Sequence, residues 1–265
     1  MNSEIAHIFT EYGIEFFETV PFDERYVINR GLFERTVSGF AKNVIVFLAP
    51  YRTCAPEKHN VSLYAAPQDY HFFMKELFAD AEPKLEAAFR GRHFRGMSDH
   101  SPINETLAAA EAGLGVIGDN SRLINEKYGS YVFIGEIFTD AEIDAAEPIE
   151  PRECLHCGAC KSACPYRFDS NCLSAVTQRK GDLSASEVEI MRKCGTVWGC
   201  DICQEVCPMN VGAAMSKIAF FNDSLIFNID AQTLADMDDG EFARRAFSWR
   251  GRGVIERNIG YLYPN

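Results

Sequence analysis

The sequence predicts an α+β chain built in two parts, a mixed helix-and-strand domain followed by a smaller cysteine-dense one. Three observations lead there. Runs of strand length, rich in β-branched and aromatic residues, begin at Ile14 (IEFFETV), Asn43 (NVIVFLA) and Tyr131 (YVFIGEI). Between the second and third, apolar residues recur at helical spacing. Of the ten cysteines, all but Cys54 lie between Cys154 and Cys207.

The first long helix is expected from Asp69, because Tyr70, Phe73, Met74, Leu77, Phe78, Ala81 and Leu85 follow one face, with a kink or break at Pro83. A second is expected over INETLAAAEA. Ser101 would cap it, Pro102 would take the first helical position, where no N–H is needed, and Gly113 would end it. The acidic stretch from Asp140 to Glu153 carries two prolines and no periodicity and reads as a linker. The division is then 1–145, 146–225 and a C-terminal helical segment, 226–265, packing back on the core.

A chain of 265 residues with 47% apolar residues can bury one substantial core and a small second unit, which excludes disordered and fibrous classes. With 38 acidic and 26 basic residues the net charge is −12, against a surface built throughout for nucleic acid. The apolar run Val44 to Ala49 is far too short to span a bilayer, and MNSEIAHIFTEYG has neither a basic nor a continuous apolar segment, so a cytoplasmic location is expected.

In that compartment clustered cysteines point to metal or redox chemistry rather than disulfides. CLHCGACKSACP places Cys154, Cys157, Cys160 and Cys164 ahead of Pro165, the bacterial ferredoxin spacing. Three closely spaced thiolates can reach three irons of one cubane, while the fourth serves the other cluster. CDICQEVCP adds Cys200, Cys203 and Cys207. Two [4Fe-4S] clusters need one more thiolate, from Cys172 or Cys194, and Cys172, at the start of the helical run CLSAVTQ, is preferred. By analogy with exchanged ferredoxin ligands, Cys154, Cys157, Cys160 and Cys207 form the first set and Cys164, Cys172, Cys200 and Cys203 the second. Structural zinc is the alternative, but it rarely takes four cysteines packed this tightly before a proline. GLGVIG, from Gly113 to Gly118, matches a dinucleotide fingerprint but follows a helix instead of opening one, so that reading is rejected.

SDHSPINETLAAAEAGLGVIGDNSRLI (Ser98 to Ile124) with YGSYVFIGEIFTD, FAKNVIVFLAPY, DYH (Asp69 to His71), NCLSAVTQRKG, WGCDICQEVCPMN and RNIGYL resembles the epoxyqueuosine reductases, cobalamin- and iron–sulfur-dependent relatives of the reductive dehalogenases. The resemblance covers most of the chain. It implies a nitroreductase-like corrinoid-binding domain joined to the two-cluster domain, and reductive removal of an epoxide oxygen in queuosine biosynthesis on tRNA. It implies that Asp99, in Asp99-His100-Ser101-Pro102, is the proton donor, and that Tyr70, His71, Ser101, Pro102, Gly115, Gly118 and Asn120 surround a base-off cobalamin, with no histidine on cobalt. Read alone, Asp99 is a helix-end carboxylate whose pKa the dipole would lower, so burial must raise it if it is to act as an acid.

Three departures stand out. Asp119 occupies the usual lysine position of a Gly-Lys-Asn element, Thr106 that of a basic residue, and the chain stops soon after Asn258 without the helical-repeat extension with which longer members grip tRNA. These weigh against tRNA as partner and leave the reductase chemistry standing. The expected electron donor is flavodoxin- or ferredoxin-like. The alternatives are a related reductase with a non-tRNA substrate, or an electron-transfer or corrinoid-reducing protein. Arg244, Arg245, Arg250, Arg252 and Arg257 are expected on a solvated helix face, with phosphate contact as the other reading.

Overall fold

The computed structural model describes residues 3–169 and 171–264. Strands β1 (Phe16–Pro21), β2 (Asn43–Pro50), β3 (Phe94–Met97) and β6 (Val132–Thr139) form an antiparallel sheet in the order β1-β2-β6-β3, and β4 (Val116–Ile117) pairs with β5 (Leu123–Ile124) in a small hairpin. The three expected strands are all present.

Alternation along β2 and β6 divides the core between two faces. Ile45, Phe47, Ala49 and Ile137 meet Ile5, Ile8 and Phe9 of α1 (Ser3–Glu11) and Phe73, Met74 and Leu77 of α3 (Tyr70–Ala88). Val44, Val46, Leu48, Ile134 and Phe138 face Phe33 of α2 (Arg30–Thr36) and Ala108 to Ala110 of α4 (Glu105–Glu111). The sheet is thus sandwiched between helices, and one even-numbered β6 position, Glu136, points a carboxylate into the second face.

Two helix expectations need correction. α3 continues through Pro83. The proline costs about 3 kcal/mol in a helix interior, whereas burying Met74, Leu77 and Leu85 offsets this at roughly 1.5–3 kcal/mol per large side chain. The second helix starts three residues later than expected: Asn104 caps α4, its Oδ1 accepting from the Leu107 amide at 3.1 Å. Ser101 and Pro102 lie in the loop before it, with Ser101 Oγ accepting from the Ile103 amide.

The acidic stretch is fastened down. The Ala146 amide donates to the Thr19 carbonyl at 2.8 Å and the Ile149 amide to that of Glu111 at 2.9 Å, leading the chain to the cysteines along β1 and α4. Beyond lie α5 (Ala159–Ala163), α6 (Leu173–Gln178), α7 (Ala185–Cys194) and α8 (Ile202–Glu205), then α9 (Ala231–Asp236), α10 (Asp239–Ala243) and α11 (Arg252–Leu262). The last three pack Leu234, Phe242, Ile255 and Ile259 around Trp198 and Val61.

Three of the five terminal arginines, Arg245, Arg252 and Arg257, are not a solvated face, whereas Arg244 is exposed as expected. Arg245 is buried and donates to the Ser224 carbonyl and to Glu241. Arg252 donates to the Leu234 and Met237 carbonyls, and Arg257 to those of Arg179, Gly181 and Thr177. They fasten chain ends that water would otherwise have to satisfy.

Candidate functional site

The cysteine motifs fold into two neighbouring groups. A small cavity is lined by Cys154, Cys157, Cys160 and Cys207, with Ile124, Pro208 and Met209 around them. Sequence-distant residues meet here because α5, which carries Cys160, packs on α8, after which Cys207 leads into Pro208. In the other group, burial pushes the Cys200 thiol up to about 12, and neighbouring Asp201, Cys203 and Cys172 push it the same way. Cys203 is likewise raised by burial, and the Asn120 side chain beside it pulls the other way. Cys172 caps α6, and Cys194, at the end of α7, lies near enough to Cys164 for that thiol to raise it after burial.

The second group is anchored to the segment His59 to Leu63, which follows β2, by Asp201. Its carboxylate accepts from Ser62 Oγ at 2.6 Å, the Leu63 amide at 2.7 Å and Gln204 Nε2 at 3.0 Å, with His59 Nε2 at 3.3 Å. Trp198 Nε1 donates to the Tyr64 hydroxyl at 3.0 Å. Neither residue stood out in the sequence, although WGCD, beside the second cysteine run, carried both.

Asp99 stands at the mouth of the loop between β3 and α4, exposed and in the left-handed region at φ 58°. His71, one residue into α3, hydrogen-bonds Asp69 through Nδ1 at 2.7 Å and faces Asp99 Oδ2 from Nε2 at 3.6 Å. The two carboxylates raise His71 to about 9, Asp69 contributing most, while His71 holds the Asp99 carboxyl below its usual range. The elevated Asp99 pKa required of a lone acid is therefore absent. At neutral pH this pair carries its proton on His71. Tyr70, beside it, stacks on Phe133 at 3.9 Å and 10°, and burial followed by the charges of Asp99 and Glu105 raises its phenol.

Gly115 and Gly118 are needed by the chain itself. A Cβ on Gly115 would lie 2.7 Å from the Ile124 carbonyl oxygen, and one on Gly118 would lie 2.5 Å from Asn120 Oδ1. Asn120 Nδ2 is buried with no partner among the described residues. Asp119 lies on the wall of the cysteine cavity, away from Asp99, and receives His156 Nδ1 at 2.7 Å, with Glu153 on that ring's Nε2 at 2.8 Å. The ligand atoms of Asp119, Cys154 and His156 lie within 4.8 Å of one another. The histidine inside CLHC thus answers the charge reversal at position 119.

Relatives settle the family. An epoxyqueuosine reductase from Gloeobacter violaceus is 34% identical over 233 residues, covering 82% of this chain and 72% of the relative. The chain belongs to the epoxyqueuosine reductase family. Epoxyqueuosine reductases from Pseudomonas aeruginosa (37% identical; 78% of this chain and 58% of the relative) and Lactococcus garvieae (29%; 85% and 69%) agree. No family model matches the chain. The epoxyqueuosine reductase fold is shared with the enzyme from Streptococcus thermophilus (TM-score 0.77, 24% identity, covering 99% of this chain and 81% of that one). It is shared too with an epoxyqueuosine reductase in complex with a modified tRNA stem loop (TM-score 0.80, 22% identity, 98% and 79%). The reductive dehalogenase NpRdhA is similar at lower level (TM-score 0.51, 16% identity, 96% and 36%). The expected family, fold class and oxidoreductase character are borne out. Among the described residues, no helix is long and apolar enough to cross a membrane.

Proposed function

We propose that the chain is a cobalamin-dependent iron–sulfur reductase that removes the epoxide oxygen of epoxyqueuosine in tRNA. The observation that carries this reading is the convergence of Cys154, Cys157, Cys160 and Cys207, from two separate motifs, on one cavity. That donor set fits a [4Fe-4S] cluster, and Cys164, Cys172, Cys200 and Cys203 are the set for a second, with Cys172 supported by its influence on both Cys200 and Cys203.

The buried Asn120 Nδ2, with the Cys203 thiol as its neighbour and no oxygen acceptor among the described residues, fits the amide-rimmed edge of a corrinoid, and Tyr70, His71, Ser101, Pro102, Gly115 and Gly118 complete the proposed pocket. A corrinoid bound there would supply a reducing centre for carbon–oxygen cleavage, the external electron donor being flavodoxin- or ferredoxin-like. Asp99 delivers a proton to the departing oxygen, and His71 returns one from Nε2 to the Asp99 carboxylate. The exposed, ionised Asp99 also favours a second reading, in which the chain reduces a corrinoid for a partner and turns over no epoxide.

The test is anaerobic reconstitution with iron, sulfide and hydroxocobalamin, followed by metal counting and assay on an epoxyqueuosine-containing stem loop. About eight irons and one cobalt per chain, with conversion of the epoxide to the alkene, are expected. Metal-loaded protein that reduces bound cobalamin without consuming the stem loop establishes the second reading. Cys172→Ala should lose about half the iron and Cys194→Ala almost none, and the reverse result exchanges the two assignments.

A further inference from the structure

Behind Asp99, on the α4 face of the sheet, lie two carboxylates that the scheme above leaves unused. Glu136 is fully buried on β6 between Val46 of β2 and Met97 of β3, and neither of its oxygens has a hydrogen-bond partner among the described residues. Glu105, the first residue of α4, buries its Oε2 in the same unpartnered state. An isolated buried carboxylate is costly, and a pair without a cation between them more so. The inexpensive solution is to retain a proton.

The surroundings agree from every side. On β2 and β3 the neighbours of Glu136 in register are the apolar Val46 and Met97, and on α4 Ala108 and Ala109 follow Glu105. Ser101, in the Asp99 loop, and then the Glu136 backbone oppose the shift of Glu136 without overcoming its burial. Glu105 receives the Asp99 backbone N–H and the field of the Arg122 cation, which the burial and the Asp99 charge outweigh. Glu105 is raised to about 7, by burial first and Asp99 second, and Glu136 is raised well above the usual carboxylate range by burial and then by Glu105. Tyr70 feels both Asp99 and Glu105, which places the pair behind the mouth where Asp99 and His71 stand.

We propose that Glu105 and Glu136 hold one buried proton between them and pass it to Asp99, making them the positioning residues that supply the second proton of each turnover. The stoichiometry calls for two. Removing an epoxide oxygen breaks both its C–O bonds, forms one C=C bond and releases water, consuming two electrons from the external donor and two protons. His71 with Asp99 holds one proton at neutral pH, and the Glu105–Glu136 pair holds the other. The transfer rests on the reductase reading above, while the shared buried proton does not.

Infrared titration of the intact protein labelled with 13C-glutamate separates the two. A carbonyl band of a protonated glutamic acid should persist at pH 6, vanish at high pH, and be lost or displaced in Glu136→Gln. Its absence from the wild-type protein at pH 6 overturns the proposal whether or not the epoxide is reduced. With the band present, single-turnover rates of Glu136→Gln and Glu105→Gln on the stem loop are compared across pH, alongside cluster reduction by dithionite. A fall in kcat on the order of 100-fold, the lower range for a positioned proton donor, with cluster reduction unchanged, is expected, and Glu136→Asp should recover part of it. Wild-type rates and pH profile in both glutamine variants overturn the transfer. A wild-type protein that shows the band but converts no epoxide defeats the reductase reading and the transfer with it, leaving the buried pair in place.

Discussion

Two buried carboxylates, Asp201 and Glu136, sit in regions that solve the same electrostatic problem in opposite ways. Asp201, between the cysteine domain and the first domain, is ringed by Ser62, the Leu63 amide, Gln204 and His59. Glu136, in the middle of the sheet, closes no hydrogen bond through either oxygen among the described residues, and the Ser101 hydroxyl and a backbone N–H are too weakly placed to outweigh its burial. A carboxylate supplied with donors locks two pieces of chain together, and one denied them becomes a place to keep a proton. The cysteine half is therefore built for fixed geometry. The sheet half, next to Asp99, is built for proton traffic.

The most severe way to break this contrast is Asp201→Ala. It strands the Ser62 hydroxyl, the Leu63 amide and Gln204 Nε2 in a buried site, where each unsatisfied group costs about 1–3 kcal/mol. A total loss of roughly 3–5 kcal/mol is expected, in the range for breaking a buried charged network. Urea unfolding of the reconstituted protein measures it, with loss of the iron bound near Cys200 and Cys203 as the local readout. A loss below about 1 kcal/mol would mean that the four contacts do not anchor the domain.

A smaller effect with the opposite sign is expected at the pair. Because Glu105 and Glu136 are raised above their unfolded values, their contribution is fully present below about pH 4.5 and is lost as pH rises, the Glu105 part through about 7. The wild-type protein should lose up to about 3 kcal/mol over that window. Glu136→Gln, which needs no proton, should flatten the slope and match or exceed the wild type above pH 7. Chemical denaturation at pH 5 and pH 8 decides it, and an unchanged slope in the variant would move the titrating group elsewhere.

Much of this was legible before the fold. Strand-length runs located β1, β2 and β6, and cysteine spacing pointed to Cys154, Cys157, Cys160 and Cys207, which line one cavity, because local periodicity and ligand reach are written in contiguous residues. Glu136 was invisible for the converse reason. It sits in YVFIGEIF, where the alternation implied a strand, but whether an even-numbered position faces α4 or solvent depends on which helices cover the sheet. The arginines near the C-terminus misled because their partners are backbone carbonyls from distant loops, such as Thr177 and Gly181 for Arg257. Asp119 looked like a charge reversal at the pocket until His156, from the cysteine loop, was found against it.

The smallest expected effect sharpens the division of labour between the mouth and the buried pair. His71 is raised to about 9, so its contribution is fully present below pH 6.5 and is lost as pH climbs through 9, a window above that of the glutamates. The imidazole is about half exposed, so solvent screening should hold its stability effect to about 0.5 kcal/mol. Its chemical effect should be larger. His71→Gln frees the Asp99 carboxyl to return towards its ordinary range and removes the group that reprotonates it, so kcat should fall while the high-pH limb that tracks His71 disappears. The glutamate infrared band should stay where it was. If instead the band shifts with His71→Gln, the mouth and the buried pair titrate as one unit, and the proton store extends from His71 to Glu136.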